Sequence, residues 1–374
     1  MKVLVTGSNG FIGKNLILHL SKLENIEIIK YDKDDLFEKI EQNIDDIKFI
    51  FHLAGVNRPT DVKEFYEGNS DLTKKIVDLI KYKNIPLLIT SSIQAIKDND
   101  YGKSKKMAED YIEKNLVNYY IYRLHNVFGK WCRPNYNSVI ATFCYNISHN
   151  LDITINDENT ELELIYIDDI IKEFINVMLN GKPQEIIDNR CYISTRYKIT
   201  LGKIVKLLKE FKDSMNSIYV PSTGDVFTKK LYSTYVSYVP IEEMVTPAVK
   251  NTDDRGSFTE LVRTYSAGQF SISISNPGVV RGNHYHHTKM ERFIVVKGRA
   301  RIGFTNIITK ENYIFEVSDE NIQIVTIPVG YTHNIENIGS GEMILAIWGN
   351  ELFDKEDPDT YYEQVDTENS KKII

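Results

Sequence analysis

The stretch at residues 278–298 constrains the fold of this chain most, because it fixes the direction of side chains that can bind a metal. His284 and His286 are two positions apart, and side chains at i and i+2 of a strand project from the same face. Glu291 follows five positions later, and His333 lies in the downstream segment PVGYTHNIEN. Imidazole nitrogens and carboxylate oxygens are common ligands of divalent transition metals. The stretch therefore predicts a metal site formed by these four side chains on a β scaffold.

The sequence beyond about residue 253 supports such a scaffold. Short segments alternate apolar and polar residues, and glycine, proline or asparagine separates most of them, which is typical of antiparallel sandwiches and barrels. The predicted strands are residues 269–275, 293–296, 300–304, 322–327 and 343–348. His287 points to the opposite face from the histidine pair, and we do not expect it to bind the metal.

A glycine motif opens the chain. Residues 2–6 (KVLVT) predict a strand, and the following TGSNGFIG leads into apolar residues at helical spacing. Gly7 and Gly10 would let the backbone approach a pyrophosphate, and Gly13 would let the helix pack on the sheet. The spacing is GxxGxxG, for which a plain turn is the alternative explanation.

The next predicted strand, residues 26–31, ends at Asp32, where a carboxylate can bind the adenosine ribose of a dinucleotide. Asp32 favours NAD because it would repel a 2'-phosphate, whereas the neighbouring Lys33 could offset that repulsion for NADP. An ordinary solvated loop acid is the alternative. The residues themselves leave the choice of cofactor open.

A YxxxK pair follows a strand that ends near two serines. Tyr101 and Lys105 are four positions apart and would share one face of a helix. A lysine ammonium stabilises a nearby phenolate, so the tyrosine could exchange a proton with an alcohol or ketone. The hydroxyl of Ser91 or Ser92 could hold the carbonyl oxygen. Most YxxxK matches are ordinary helix surface, but the upstream glycine motif strengthens this one.

Length and charge limit the class of protein. A chain of 374 residues predicts two domains, and we place their boundary between residues 245 and 246. A net charge of -7 and a pI near 5.7 argue against nucleic-acid partners and anionic membranes. The scattered Cys132, Cys144 and Cys191 indicate free thiols in a reducing compartment. Without a membrane-length apolar run or a signal peptide, we expect a cytoplasmic protein with no membrane insertion.

Residues 1–245 resemble the extended short-chain dehydrogenases/reductases that act on nucleotide sugars. The matching segments are TGSNGFIG, HLAG at 52–55, Asn69, the serine pair, YGKSK, RLHNVFGK at 123–130 and YIDDI at 166–170. The resemblance implies an α/β Rossmann-type fold with a doubly wound parallel sheet. It implies that Tyr101 is the catalytic acid and that Lys105 binds the nicotinamide ribose and lowers the pKa of Tyr101. Ser92 is the better candidate for binding the carbonyl oxygen. However, only nine positions separate it from Tyr101, fewer than in many relatives, so Ser91 remains the alternative.

The same resemblance implies the cofactor and substrate positions. Asn126 and Arg133, in and after the RLHNVFGK segment, would face the substrate. The implied cofactor-binding residues are Gly7, Gly10, Phe11, Ile12, Gly13, Asp32, Leu53, Ala54, Gly55, Tyr101 and Lys105.

Residues 246–374 resemble a cupin, a double-stranded β-helix or jelly-roll barrel. Residues 278–298 match the first cupin motif at every position, and residues 328–337 match the second, except that Ile322 replaces its leading glycine. The resemblance implies that His284, His286, Glu291 and His333 are the metal ligands. Purely structural histidines are the alternative, because many cupins have lost their metal. Zn(II) is favoured over Fe(II), Mn(II) and Ni(II).

The combination of both domains resembles the bifunctional enzymes of capsular polysaccharide synthesis. That resemblance implies that the cupin epimerises C3 of a UDP-4-keto-6-deoxy-N-acetylhexosamine. The N-terminal domain would then reduce the C4 ketone with NADPH, or alternatively NADH, to UDP-2-acetamido-2,6-dideoxy-L-talose, on the route to N-acetyl-L-fucosamine. The alternative is a monofunctional reductase whose cupin is a binding or dimerisation module. We expect a homodimer, because exposed strand edges need cover.

Overall fold

The computed structural model describes residues 1–366 and 370–372. Contact density divides the chain into two compact units, Met1–Lys209 with Val226–Pro240 and Glu210–Asp225 with Ile241–Ile374. Across the described ranges, no helix has both the length and the apolar character needed to cross a membrane. All three cysteines are buried free thiols.

The first unit contains the strands β1 (Lys2–Thr6), β2 (Glu27–Tyr31), β3 (Ile47–His52), β4 (Leu87–Ser92), β5 (Tyr119–Leu124), β6 (Asn126–Phe128), β7 (Glu161–Tyr166), β8 (Glu185–Ile187), β9 (Arg190–Tyr192) and β10 (Tyr197–Thr200). The α-helices of the chain are α1 (Phe11–Leu20), α2 (Glu38–Glu41), α3 (Lys63–Tyr66), α4 (Leu72–Ile80), α5 (Asp100–Asn115), α6 (Val139–Ser148), α7 (Ile167–Asn180), α8 (Leu201–Met215) and α9 (Val226–Val236). A π-helical turn (Glu67–Asp71) joins α3 to α4, and short 3-10 turns lie at Ile93–Ile96 and Ile241–Glu243.

The main sheet of this unit has the strand order β2-β1-β3-β4-β5-β9-β8 and is parallel except for the pairing of β8 with β9. Strand β1 shows why helices cover both faces. Val3 and Val5 enter a core with α1 and α7, whereas Leu4 enters the opposite core with α4 and α5. Adjacent strand residues point to opposite faces, so a strand that is apolar at every position is buried from both sides. The predicted Rossmann-like parallel sheet is confirmed.

Ser91 and Ser92 are the last residues of β4, which agrees with the predicted strand that ends near two serines. The aromatic segment at residues 229–239 forms most of α9, whose buried residues include Leu231 and Tyr235. A smaller sheet of β10, β7 and β6 completes this unit.

The second unit contains the strands β11 (Lys250–Asp253), β12 (Gly256–Thr264), β13 (Gly268–Ser275), β14 (Val280–Tyr285), β15 (Glu291–Lys297), β16 (Arg299–Asn306), β17 (Asn312–Ser318), β18 (Ile324–Ile327), β19 (Tyr331–Asn337), β20 (Met343–Gly349), β21 (Tyr361–Tyr362) and β22 (Lys371–Lys372). They form two sheets of six strands, ordered β11-β12-β13-β20-β15-β18 and β21-β14-β19-β16-β17-β22. Every pairing is antiparallel except that of β17 with β22.

The two sheets share one apolar core. Phe293 and Val295 of β15 meet Ile302 and Phe304 of β16 in a single buried cluster. The members of each pair are two positions apart, so the inward residues alternate with outward ones as expected for packed sheets. The predicted all-β antiparallel domain is confirmed, and the candidate metal ligands lie on its strands or directly beyond them.

Candidate nucleotide and metal sites

The glycine motif forms a tight turn between β1 and α1. Gly7 has a φ of +65°, and a Cβ there would lie 2.7 Å from the backbone nitrogen of Ala54. A Cβ on Gly13 would lie 2.2 Å from the carbonyl oxygen of Gly7. No side chain fits at either position. Gly10 is the N-cap of α1 and has no side chain that could accept hydrogen bonds from the first N–H groups of the helix. Those N–H groups are therefore suited to binding an anion.

Asp32 lies beside this turn, as its position after β2 predicts. Its Oδ2 accepts a hydrogen bond from the backbone N–H of Asn9 at 2.7 Å, and Ser8 Oγ lies 3.4 Å away. Its Oδ1 accepts from the N–H of Lys33 at 2.9 Å. The carboxylate is therefore held at the carboxyl end of the parallel strands, where a nucleotide ribose would reach it.

The remaining predicted cofactor residues gather at the same sheet edge. The N–H of Leu53 donates to the carbonyl oxygen of Thr6 at 3.2 Å, and that of Ala54 donates to the Thr6 hydroxyl at 3.2 Å. A Cβ on Gly55 would lie 2.9 Å from Lys105 Nζ. Half-buried Phe11 and Ile12 form the start of α1.

The two serines of β4 have different partners. Ser91 Oγ donates to Glu109 Oε1 at 2.5 Å, inside the protein. Ser92 Oγ accepts from the N–H of Gln94 at 3.1 Å and forms a side-chain hydrogen bond with Tyr101. Neighbouring strand residues point to opposite faces, so only one of the pair can face the tyrosine. That residue is Ser92.

Tyr101 lies in the first turn of α5, which Asn99 caps by accepting from the N–H of Gly102 at 2.7 Å. Its ring packs 5.7 Å from that of Phe65. Burial raises the pKa of Tyr101 above its ordinary value and outweighs the opposing hydrogen bond from Ser92. The predicted lowering of this pKa by Lys105 is therefore not found. A neutral phenol is nevertheless the form that can donate a proton.

The Lys105 ammonium is buried and donates to the carbonyl oxygen of Thr90 at 3.2 Å. Burial lowers its pKa to about 8, although the carboxylate of Glu109 acts in the opposite direction. Asn69, in the π-helical turn, braces the same region: its Oδ1 accepts from the N–H of Val56 at 2.9 Å, and its Nδ2 donates to Ser104 Oγ at 3.1 Å.

A buried charge network, which was not predicted, lies behind these residues. Glu109 is fully buried and accepts from Arg123 at 2.6 Å, from Arg190 at 2.9 Å and from Ser91. Arg190 also pairs with Glu113 at 2.5 Å. Burial opposes the charge of Glu109, but these hydrogen bonds outweigh it and hold its pKa below the ordinary value. The available signal was the i,i+4 spacing of Glu109 and Lys105 on an otherwise amphipathic helix.

The predicted substrate residues are separated in the structure. Asn126 borders a cavity of about 490 Å³ in the first unit, whereas Arg133 is exposed with its guanidinium 5.2 Å from the ring of Tyr136. Tyr136 borders the cavity and Arg133 does not. The cavity has a mixed lining: Arg58, Asn126, Val127, Asn135, Tyr136, Asn137, Ser138, Val139, Ile140, Thr142, Leu162 and Leu164.

The second unit brings the four predicted metal ligands together. His284 on β14 and His333 on β19 are directly paired across the strands, and Glu291 begins β15 in the facing sheet. His286 lies just beyond the end of β14. One ligand atom from each of the four lies within 4.8 Å of the others.

The hydrogen bonds and charges of these four side chains are suited to binding a cation. His286 Nδ1 lies 2.6 Å from the carbonyl oxygen of Asp359, so Nδ1 carries the proton and Nε2 presents a lone pair. Within the described chain, His286 Nε2 and His333 Nε2 are buried without a hydrogen-bond partner. Burial lowers the pKa of His284 to about 4, and the other two histidines act in the same direction. Burial opposes the charge of Glu291, but the nearby imidazoles of His286 and His333, whose Nε2 atoms lie 3.6 and 3.4 Å from its Oε2, outweigh burial and hold the pKa of Glu291 well below its ordinary range. Three imidazoles around one carboxylate match the ligand preferences of zinc.

Two features of this site were not predicted. A β-bulge separates Gly282 from His284 in the pairing with β19, and Asn283 within it has a φ of +60°. Lys289 is only 7% exposed, and its ammonium lies 5.7 Å from the ring of Phe353. The positive charge of Lys289 acts on both His284 and Glu291. The sequence RGNH before His284 was the available signal for the bulge, because glycine and asparagine tolerate positive φ.

Comparisons with known proteins match both units. Residues 3–188 match the NAD dependent epimerase/dehydratase family, and residues 251–361 match the polysaccharide biosynthesis C-terminal domain. The chain is 44% identical over 367 residues to the UDP-2-acetamido-2,6-beta-L-arabino-hexul-4-ose reductase of Pseudomonas aeruginosa, covering 96% of this chain and 98% of that relative.

Solved structures agree with these matches. The crystal structure of the capsular polysaccharide assembling protein CapF from Staphylococcus aureus superposes with a TM-score of 0.89 at 44% identity, covering 98% of this chain and 100% of that one. The UDP-glucuronic acid 4-epimerase of Bacillus cereus, in complex with NAD, superposes with a TM-score of 0.54 at 17% identity, covering 64% of this chain and 98% of that one. The second likeness shows the fold alone.

Proposed function

The chain belongs to the two-domain family of the UDP-2-acetamido-2,6-beta-L-arabino-hexul-4-ose reductase and CapF, and we propose that it is a bifunctional nucleotide-sugar enzyme. Its C-terminal domain, residues 246–374, is a metal cupin that epimerises C3 of a UDP-4-keto-6-deoxy-N-acetylhexosamine. Its N-terminal domain, residues 1–245, reduces the C4 ketone. The product is UDP-2-acetamido-2,6-dideoxy-L-talose, made in the cytoplasm by a homodimer for capsular polysaccharide synthesis.

The reductase half rests on the arrangement of Ser92, Tyr101 and Lys105. NADPH, when bound at the glycine turn, supplies the hydride. The neutral Tyr101 hydroxyl donates its proton to the C4 oxygen, and the Ser92 hydroxyl orients that oxygen. The buried ammonium of Lys105, next to Gly55, contributes the positive charge beside the cofactor cradle. Asn126 would contact the sugar nucleotide from the wall of the cavity.

The epimerase half rests on the convergence of lone pairs in the second unit. A divalent metal, with zinc favoured, supplies Lewis acidity when bound, which makes a proton next to a ketone easier to remove. His284, His286, Glu291 and His333 would hold it. Lys289 adds a buried positive charge close to the site, which favours negative charge developing on the substrate oxygen.

The observation that carries the proposal is the pair of buried imidazole nitrogens, on His286 and His333, that have no partner among the described residues and face one carboxylate. Leaving buried polar atoms unpaired costs free energy, about 1–3 kcal/mol each. Such atoms are expected where a ligand satisfies them. A purely structural module would gain stability by pairing them.

The test uses the UDP-4-keto sugar in heavy water, with and without NADPH, followed by NMR. We expect deuterium at C3 without cofactor. Tyr101→Phe should keep this exchange and lose reduction, whereas His284→Ala should lose exchange. Tyr111→Phe is the matched control, because Tyr111 lies on the same helix and its hydroxyl donates to Asp78 at the surface.

Exchange that needs Tyr101, or that survives loss of His284, would refute this division of labour. Reduction without any exchange would instead support a monofunctional reductase with a binding or dimerisation module. We also expect NADPH to give faster reduction than NADH. Comparable rates would show that Asp32 accepts NAD.

A further inference from the structure

The end of the chain returns to the candidate metal site and runs along its ligand strand. Strand β21 pairs with β14, and its Tyr362 lies opposite His284. The N–H of Glu363 donates to the carbonyl oxygen of Asn283 at 3.0 Å, and that of Val365 donates to the Asn283 side chain at 3.2 Å. This segment is therefore anchored to Asn283 in the bulge and to the strand residues that follow it.

Asp359, just before β21, holds the loop that follows His286. Its carboxylate accepts the backbone N–H groups of three consecutive residues: His287 at 2.9 Å, Thr288 at 2.8 Å and Lys289 at 2.9 Å. It also accepts from the Thr288 hydroxyl at 3.1 Å. Burial opposes the charge, but these hydrogen bonds outweigh it, so the pKa of Asp359 lies well below its ordinary range. The carboxylate replaces the strand pairing that this loop lacks.

The backbone of the same residue contacts His286. The Asp359 carbonyl oxygen accepts from His286 Nδ1 at 2.6 Å, which puts the ring proton on Nδ1 and turns Nε2 towards Glu291 and His333. Asp359 reaches this position with a φ of +41°, in the left-handed region that is unfavourable for most side chains. Its side chain and its carbonyl together determine how the loop and the ring are oriented.

We propose that Asp359 is a positioning residue of the metal site, holding His286 in the tautomer and orientation that bind the cation. The inference rests on the proposed metal-binding function. It assigns a role to a residue 73 positions from His286 that touches neither substrate nor metal. His286 lies beyond the end of β14, where its carbonyl oxygen accepts one backbone hydrogen bond, from the N–H of Gly330 at 3.0 Å, and Asp359 supplies the hydrogen bond that orients its ring. Partners of this kind typically change metal affinity by about 10–100-fold when removed.

The test measures Zn(II) affinity by competition with a chromophoric chelator, together with the visible absorption of the Co(II)-loaded protein. Asp359→Ala keeps the carbonyl oxygen that contacts His286 but removes the side-chain hydrogen bonds that hold it in place, so it should weaken zinc binding by up to about 10–100-fold and change the Co(II) spectrum. Asp359→Asn should lose less zinc affinity than Asp359→Ala, because asparagine tolerates a positive φ and its amide oxygen can still accept a hydrogen bond from one N–H. Asp354→Ala is the matched control, since that carboxylate in the same segment accepts the N–H of Glu356.

Thermal unfolding of the metal-free proteins separates positioning from folding. If Asp359→Ala does not fold, Asp359→Asn decides the question by the same two measurements. Zinc affinity and Co(II) spectra that match the wild type in the folded variant would overturn the inference. A wild-type protein that binds neither Zn(II) nor Co(II) would overturn the proposed metal function itself, which is a separate result.

Discussion

The two candidate sites differ in how their polar atoms are satisfied. In the first unit, Ser92, Tyr101 and Lys105 each have a protein hydrogen-bond partner before any ligand arrives. In the second, His286 and His333 keep buried nitrogens for which the described chain offers no partner. This difference suits the first site to the proposed proton transfer and the second to the proposed binding of a cation.

Burial has opposite consequences in the two sites although its physical action is the same. It disfavours charge in both. It raises the pKa of Tyr101, which keeps the phenol protonated and able to donate. It lowers the pKa of His284 to about 4, which keeps the imidazole neutral with a lone pair available. One physical effect thus suits Tyr101 to its proposed role as an acid and His284 to its proposed role as a metal ligand.

The largest expected effect tests whether the second site is a ligand set. His284→Ala should lower zinc affinity at least about 100-fold, more than removal of an outer partner would. His287→Ala is the control, because this exposed neighbour packs edge-on against Tyr361 and is not part of the four-residue cluster. Elemental analysis after dialysis provides the measurement, and NADPH binding should be unchanged in both variants. Equal zinc content in the His284→Ala and His287→Ala variants would show that His284 is not a ligand, and the proposed difference between the two sites would not hold.

A somewhat smaller effect should separate the two serines of the first site. Ser92→Ala should lower kcat for reduction about 100-fold, because it removes the hydroxyl that is proposed to hold the ketone oxygen. Ser91→Ala should mainly lower the free energy of unfolding, by about 1–3 kcal/mol, because it removes one partner of the buried Glu109. Steady-state kinetics and chemical denaturation measure the two effects. Equal losses of kcat would contradict the assignment from strand geometry.

The smallest effect is a pH dependence confined to the first site. The pKa of Lys105 lies at about 8 because burial disfavours its charge. If the ammonium is the active form, reduction should decline as pH rises above that value, by about tenfold per unit. Lys105→Arg should shift this decline to higher pH, since arginine stays protonated. Rate profiles for both proteins from pH 6 to 10 provide the measurement, and a flat profile would show that the charge is not required.

Local sequence patterns were sufficient to predict the main side chains that the structure brings together in each candidate site. The two-residue period of a strand places His284 and His286 together, and a strand, glycine turn and helix indicate the nucleotide cradle. The four-residue spacing of Tyr101 and Lys105 places them on one helical face. These patterns depend on geometry within a single element, which a sequence displays directly.

The partners of those side chains were decided by tertiary structure. The choice of Ser92 over Ser91 depends on which face of β4 meets Tyr101 and which meets Glu109. The direction of the Tyr101 pKa depends on burial, which sequence spacing does not report. Asp359 meets His286 across 73 positions of chain. The sequence by itself determined which groups can react, because residue type sets chemistry, whereas only packing decided which groups are buried, paired or left free.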